Sequence, residues 1–178
     1  KGLKWSDGAP LTGADARFYH DHVASDPDLA IMAPGADPEG SELLTPDSFT
    51  LEYHLARPRP FHPHEMAHRL PLLPAHYLER WHGAFTDPAL LAEAVKESPA
   101  RTWKGLFTLQ GNCAYNPDLP VTRTWVLASD PRGERVILAR NPYAFQVDAA
   151  SEPARARSGH RRGRSSRRST SRSPAGRR

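Results

Sequence analysis

Residues 2–15 constrain the fold of this chain most, because they predict a strand end, a turn and a helix start in succession. Leu3 and Trp5 alternate with a polar residue, which is the period of a half-buried strand. The Ser-Asp-Gly that follows is typical of a turn, since Ser and Asp bond nearby backbone N–H groups and Gly accepts a positive φ. Thr12 fits a helix N-cap, with Asp15 three residues later. This order of elements predicts an α/β structure.

Two other regions predict β-structure. In residues 49–55 apolar and polar side chains alternate, which predicts a strand with one buried face. Residues 124–129 and 134–139 are strand-like runs, and the Asp-Pro-Arg-Gly between them has the preferences of a type I turn. A β-hairpin is therefore predicted here, and we expect it to be the best-formed element of the chain.

The intervening regions differ in character. Residues 26–48 are dense in Pro, Gly and Asp, which predicts a long irregular connection. Residues 88–97 predict a helix, because a proline occupies the first turn and the interior is rich in Ala and Leu. Pro99 lies just beyond the end of this helix.

Motifs at three places in the chain resemble the family 5 extracellular solute-binding proteins, the peptide, oligopeptide and nickel receptors of ABC importers. Leu-Pro-Ala-His-Tyr-Leu at residues 73–78 and Arg-Asn-Pro-Tyr at residues 140–143 are similar to family segments and follow in the family's order. The first motif is Lys-Trp-Ser-Asp-Gly at residues 4–8, followed by Pro10, Thr12, Asp15 and the aromatic pair Phe18 and Tyr19.

This resemblance implies a fold and a function. The fold is expected to be a partial lobe of a class II periplasmic-binding-protein-like structure, with a mixed sheet and short helices. The implied function is non-catalytic capture of a peptide or similar solute between two lobes, without a cofactor, for delivery to the permease subunits of an ABC importer. The expected location is the periplasm or the cell envelope as a lipoprotein, although this chain carries no signal sequence. Family members are much longer, so a fragment is expected.

Phe18 and Tyr19 are the ligand-binding residues that the resemblance implies. In the oligopeptide-binding branch of the family an aromatic residue of the first helix faces the peptide, and Phe18 occupies the matching position. The alternative is that both rings belong to the core, as most aromatic residues of amphipathic helices do. By the same resemblance, residues 1–122 are a first-lobe segment and residues 123–148 a hairpin that continues the same lobe.

Residues 149–178 are predicted to be a disordered tail rich in Arg and Ser. Ten of the 24 Lys and Arg residues, but only one of the 20 acids, lie beyond residue 150. The net charge of +4 for the whole chain therefore does not describe residues 1–150. Because the segment from residue 151 contains no large apolar residue, burial cannot offset the entropy of ordering it. A shifted reading frame explains this composition best. The alternative is an arm that binds nucleic-acid phosphates without sequence preference, so no specific nucleic-acid partner is expected.

An alternative function is a small zinc-dependent hydrolase built on His64, Glu65 and His68. Their spacing matches the H-E-x-x-H pattern, in which two His on one helix face bind zinc and the Glu activates water. Pro63 and Pro71 restrict any helix here to about two turns. Histidines that are solvated or that pack without metal are therefore the favoured interpretation, and no metal site is predicted.

Overall fold

The fold is described from a computed structural model for residues 2–29, 41–60, 64 and 72–146. The predicted tail, residues 149–178, lies outside these residues, so its disorder stays a prediction. The helices are α1 (Gly13–Phe18), which continues as a π-helix (Tyr19–Ala24), α2 (Ala75–Leu78) with a 3-10 turn (Glu79–Trp81), α3 (Pro88–Lys96) and α4 (Trp103–Gln110). The strands are β1 (Glu42–Asp47), β2 (Thr50–His54), β3 (Trp125–Leu127) and β4 (Leu138–Arg140). Within this described part, no helix is long and apolar enough to cross a membrane.

The strand predicted at residues 49–55 is β2, and it pairs antiparallel with β1. The prediction of an irregular connection through residues 26–48 is wrong for its last part, because residues 42–47 form β1. A half-buried strand needs a partner for its backbone groups. Pro46 is tolerated in that partner because it falls at the register shift between Leu44 and Asp47, where no ladder donor is needed.

The predicted hairpin is confirmed as the antiparallel pair β3–β4. Its turn closes through the Gly133 N–H, which donates to the Asp130 carbonyl at 3.1 Å. Each strand has only three residues, and all of β4 is exposed, so the expectation that this is the best-formed element is wrong. The predicted α/β class is confirmed. The mixed sheet is not found, because the described strands form two separate antiparallel pairs.

Two of the helices are fixed by side-chain caps. The Asp87 carboxylate accepts the Ala89 N–H at 2.7 Å, and α3 begins at Pro88 as predicted. Helix α4 was not predicted. Its start is marked by Thr102, whose hydroxyl accepts the Gly105 N–H at 3.1 Å. This cap, together with the helical spacing of Trp103, Leu106 and Phe107, indicates α4 in the sequence.

The core lies between α1 with its π-helical continuation, α2 and α4. Its members are large apolar or aromatic side chains from these elements and from the loops beside them. They include Phe18, Tyr19, Val23, Leu29, Ala75, Tyr77, Leu78, Phe107 and Leu119. The side chains of the first motif therefore belong to the same packed unit as the Leu-Pro-Ala-His-Tyr-Leu segment.

Candidate functional site

Asp15 is the buried polar centre of the first motif. Its side chain is 3% exposed, and one carboxylate oxygen accepts the Trp5 indole N–H at 3.2 Å and the Thr12 backbone N–H at 2.9 Å. The other oxygen accepts the backbone N–H of Ala75 at 3.1 Å, at the start of α2. Three donors from separate parts of the chain thus converge on one carboxylate, which connects the first motif to the Leu-Pro-Ala-His-Tyr-Leu segment.

A second contact between these two motifs lies nearer the surface. His76 Nε2 is 2.7 Å from an Asp7 carboxylate oxygen, and the other Asp7 oxygen accepts the Ala9 N–H at 3.0 Å. Partial burial acts to raise the pKa of Asp7, but the hydrogen bond with His76 and the Ala9 N–H outweigh it and lower the pKa. Asp7 therefore stays ionised at neutral pH and supports the turn.

The Arg-Asn-Pro-Tyr motif closes on the same turn. Buried Asn141 donates from its side-chain amide to the Arg123 carbonyl at 2.8 Å and accepts the Tyr143 N–H at 2.9 Å. Two hydrogen bonds join Ser6 to Val121. The Ser6 backbone N–H donates to the Val121 carbonyl, and the Val121 N–H donates to the Ser6 hydroxyl, both at 3.0 Å. The three family-like motifs therefore meet in space, and in this structure they hold the scaffold together.

Gly8 lies in this junction with a positive φ and close to the Tyr143 side chain. Its φ is +91°, and a Cβ there would lie 3.1 Å from the Tyr143 hydroxyl oxygen. We expect Gly8→Ala to lower the free energy of unfolding by about 1–2 kcal/mol, because an L-residue is strained at this φ. The matched control is Gly105→Ala in α4, where the nearest atoms are 3.5 and 3.6 Å away.

Urea unfolding of both variants checks this prediction. Gly105→Ala is expected to stabilise the protein by about 0.5–1 kcal/mol, since alanine has the higher helix propensity. Equal effects of the two substitutions would show that the positive φ of Gly8 is not the source of strain.

An open cavity of about 520 Å³ lies beside α1, away from the three-motif junction. Its lining comes from α1 and the π-helix, from β1 and the β1–β2 turn, and from the 3-10 turn after α2 and the segment beyond it. The lining residues are Gly13, Ala14, Arg17, Phe18, Asp21, His22, Thr45, Asp47, Ser48, Glu79 and Phe85. This cavity is the candidate ligand site, because it combines aromatic rings with hydroxyl and carboxylate groups.

The cavity carries an excess of negative charge. Its lining includes the carboxylates of Asp21, Asp47 and Glu79 but a single guanidinium, that of Arg17. Arg17 is already engaged, since it forms an ion pair with Asp21 at 2.8 Å and donates to the Leu43 carbonyl at 2.9 Å. The Phe49 N–H and the Thr50 hydroxyl lower the pKa of Asp47, which keeps that carboxylate charged.

The structure places the two predicted ligand residues differently. Tyr19 is 1% exposed and lies in the core. Phe18 is 4% exposed, packs in the same core and reaches the floor of the cavity. Neither placement tests ligand binding, which stays a prediction for both residues.

The exposed aromatic residue of the cavity is Phe85, which sequence reasoning missed. It is 46% exposed, and its ring lies edge-on to that of His22 with 4.7 Å between the centroids. Phe85 belongs to no periodic element, so its position depends on the turn that follows α2. A pattern of apolar spacing could not have found it.

The H-E-x-x-H pattern at residues 64–68 is described by the structure only at its first histidine. His64 is exposed, while Glu65 and His68 lie outside the described residues. Across residues 2–29, 41–60, 64 and 72–146, no group of three or more His, Cys, Asp or Glu side chains is placed to hold a metal ion. A catalytic site at His64 therefore has no structural observation in its favour.

No family model matches the chain. A periplasmic alpha-galactoside-binding protein of Rhizobium meliloti (strain 1021) is 31% identical over 155 residues, which are 84% of this chain and 20% of that protein. Among solved structures, the oligopeptide-binding protein OppA superposes with a TM-score of 0.74 at 28% identity, over 86% of this chain and 24% of that one.

A second solved structure is the periplasmic binding protein MelB of Agrobacterium fabrum C58 in complex with stachyose. It superposes with a TM-score of 0.62 at 26% identity, over 86% of this chain and 22% of that one. The fold and the sequence likenesses together relate this chain to one segment of the periplasmic solute-binding proteins.

Within that class, the resemblance to the family 5 solute-binding proteins is confirmed. Of these relatives, one is named for binding oligopeptides, one is named for binding alpha-galactosides, and one was solved in complex with stachyose. The chain spans about a fifth to a quarter of the length of each.

Proposed function

We propose that this chain acts in the substrate-binding component of an ABC-type importer, located in the periplasm or attached to the cell envelope as a lipoprotein. The component captures a peptide or another small solute between two lobes and presents it to the permease subunits. No bond is made or broken, so the function is not enzymatic. The observation that carries this proposal is the open cavity with the exposed Phe85 ring, on a scaffold similar to those of solute-binding proteins.

The charge of the cavity favours one kind of solute. With three carboxylates against the single, already paired Arg17, the lining repels anions and is compatible with neutral or positively charged ligands. Neutral or basic peptides and uncharged oligosaccharides both satisfy this condition. Exposed hydroxyl and carboxylate groups beside an aromatic ring can hydrogen-bond either of them while the ring covers an apolar face.

Phe18 and Tyr19 have different parts in the proposal. Phe18 lies at the cavity floor, and its ring is 5.7 Å from that of Phe85 between centroids, so it supports the exposed ring from below and offers an edge to the solute. Tyr19 shapes the floor indirectly, by packing in the core behind Phe18. Direct contact with the solute is expected of Phe85 first and of Phe18 second.

A binding experiment tests this function on the whole chain. Stachyose, tri-lysine, tri-alanine and tri-glutamate are titrated into the ¹⁵N-labelled protein, and the amide resonances of the cavity residues are followed. We expect saturable shifts at Phe85, His22 and Ser48 with one or more of the neutral or cationic probes, and none with tri-glutamate. Phe85→Ala is expected to weaken that binding about tenfold, which corresponds to about 1.4 kcal/mol of lost ring contact.

The matched control is Phe145→Ala, because Phe145 is similarly exposed but does not line the cavity. It is expected to bind the same probe with unchanged affinity. Binding that is strongest for tri-glutamate, or that is weakened equally by both substitutions, would contradict the proposed site.

A further inference from the structure

His82 is a buried histidine that does not itself line the cavity. It follows the 3-10 turn after α2, and its side chain is 5% exposed. Its ring centroid lies 5.0 Å from that of Trp103, 5.3 Å from Phe107 and 5.9 Å from Phe18. The imidazole is thus enclosed by aromatic rings, an environment that disfavours a charge.

The hydrogen bonds of His82 define which nitrogen carries the proton. The backbone N–H of Ala84 points at Nδ1 at 3.1 Å, so Nδ1 must accept and cannot carry a hydrogen. Nε2 is 3.2 Å from the backbone carbonyl oxygen of His22, so Nε2 must donate. Both bonds are satisfied only by the neutral imidazole protonated at Nε2. A second proton would have to enter at Nδ1 and would displace the Ala84 N–H.

The turn that His82 holds carries Phe85 to the cavity. The His82 carbonyl accepts the N–H of Phe85 at 3.0 Å and that of Thr86 at 3.1 Å. The Thr86 hydroxyl donates to the Glu79 carbonyl at 3.1 Å, which returns the chain to the 3-10 turn. The Phe85 ring rests 5.6 Å from the His82 ring between centroids. The Ala84 N–H bond to Nδ1 fixes the first residues of the same turn, so its loss removes one of the hydrogen bonds that hold the segment carrying Phe85.

The charged and titratable groups around His82 come from the π-helix, from the loop that follows it and from α4. Burial is the largest influence and lowers its pKa, and His22 on the π-helix and Lys104 on α4 lower it further. Asp26, after the π-helix, and the hydrogen bond to the His22 carbonyl act in the opposite direction but do not restore the ordinary value. The pKa of His82 is lower in the folded turn than in the unfolded chain. The neutral imidazole therefore stabilises the turn fully above about pH 6.5, and this stabilisation is lost as the pH falls below that value.

We propose that His82 is a positioning residue that holds Phe85 at the cavity while it is neutral and releases Phe85 when it is protonated. Solute capture is then favoured at neutral pH and weakened by acid. The part of this inference that concerns the solute rests on the proposed function, whereas the movement of the turn does not.

Amide exchange and NMR titration of the wild-type chain without ligand test the turn. From about pH 7.5 to 5.0 we expect the protection of the Ala84 N–H to be lost progressively below about pH 6.5, because the pKa of His82 is lower in the folded turn than in the released turn. The amide shifts of Ala84, Phe85 and Thr86 are expected to follow the same curve as the His82 imidazole. An imidazole that titrates while these three amides stay constant would overturn the proposal.

Two variants separate positioning from packing. His82→Asn keeps an acceptor for the Ala84 N–H, as in an Asx turn, but cannot titrate, so protection in the turn is expected to become independent of pH. His54→Asn removes an exposed histidine on β2 and is expected to leave the wild-type pH profile unchanged. The same acid transition in His82→Asn would refute the role of His82.

The solute part is tested with the probe that binds best at neutral pH. We expect wild-type affinity to decrease between pH 7.5 and 5.5 and the affinity of a folded His82→Asn variant to change less. If the turn opens with acid but affinity does not change, the switch stands and Phe85 is not a ligand contact. If no probe binds at any pH, the proposed function fails while the turn measurement still decides the switch.

Discussion

Asp15→Ala is expected to lower the free energy of unfolding by about 3–5 kcal/mol, a large part of the stability of a domain this size. The substitution leaves the Trp5 indole N–H and the backbone N–H groups of Thr12 and Ala75 without their shared acceptor. Hydrogen bonds to a charged group contribute about 1.5–3 kcal/mol each, and buried donors without partners add a desolvation penalty. The measurement is urea unfolding followed by circular dichroism.

The control is Glu93→Gln on α3, where an exposed carboxylate forms a 2.6 Å ion pair with Lys96. Exposed pairs contribute little, so we expect a change below about 1 kcal/mol. Trp5→Phe removes one of the three donors while keeping an aromatic ring, and is expected to cost less than Asp15→Ala. A cost for Asp15→Ala no larger than that for Glu93→Gln would show that the junction does not hold the motifs together.

Phe18→Ala is expected to cost about 3–5 kcal/mol, as truncation of a buried phenylalanine does. Its ring is almost fully buried and lies 6.2 Å from that of Phe107 between centroids, so the substitution leaves a cavity in the core. Truncation of a residue that only faced the cleft, as the resemblance implies for Phe18, would weaken binding and barely change stability. The burial of Phe18 now leads us to expect a loss of stability first.

The comparison that separates these roles is Phe85→Ala, measured in the same thermal and urea unfolding experiments. Because Phe85 is about half exposed, we expect it to change the free energy of unfolding by less than about 1 kcal/mol. A Phe18→Ala variant that unfolds like the wild type but has lost affinity for the neutral or cationic probe would restore Phe18 as a cleft residue.

The family-like motifs are used here mainly to build the scaffold. Trp5, Asp15 and Asn141 are buried, and their polar groups bond to backbone or to one another. The candidate site lies on the outer side of α1, where the lining is more exposed and includes residues outside those motifs. Motif residues of this kind identify the fold, while the solute depends on the rim around it.

The sequence by itself determined the elements whose cause is local. The turn at Asp130 to Gly133, the alternation of β2 and the proline at the start of α3 depend on the preferences of neighbouring residues, and each is found where it was predicted. The class of protein was implied by the resemblance of the three motifs to a known family, and these motifs meet in one packed junction.

Only the tertiary structure decided what depends on residues far apart in the chain. Strand β1 exists because β2 needs a partner, although its own sequence favours a turn. The cavity joins α1 with a turn about 30 residues later and with Phe85 beyond α2. The tautomer of His82 follows from a carbonyl 60 residues away. Such contacts depend on the packing of side chains in three dimensions, which local propensity and periodicity do not encode.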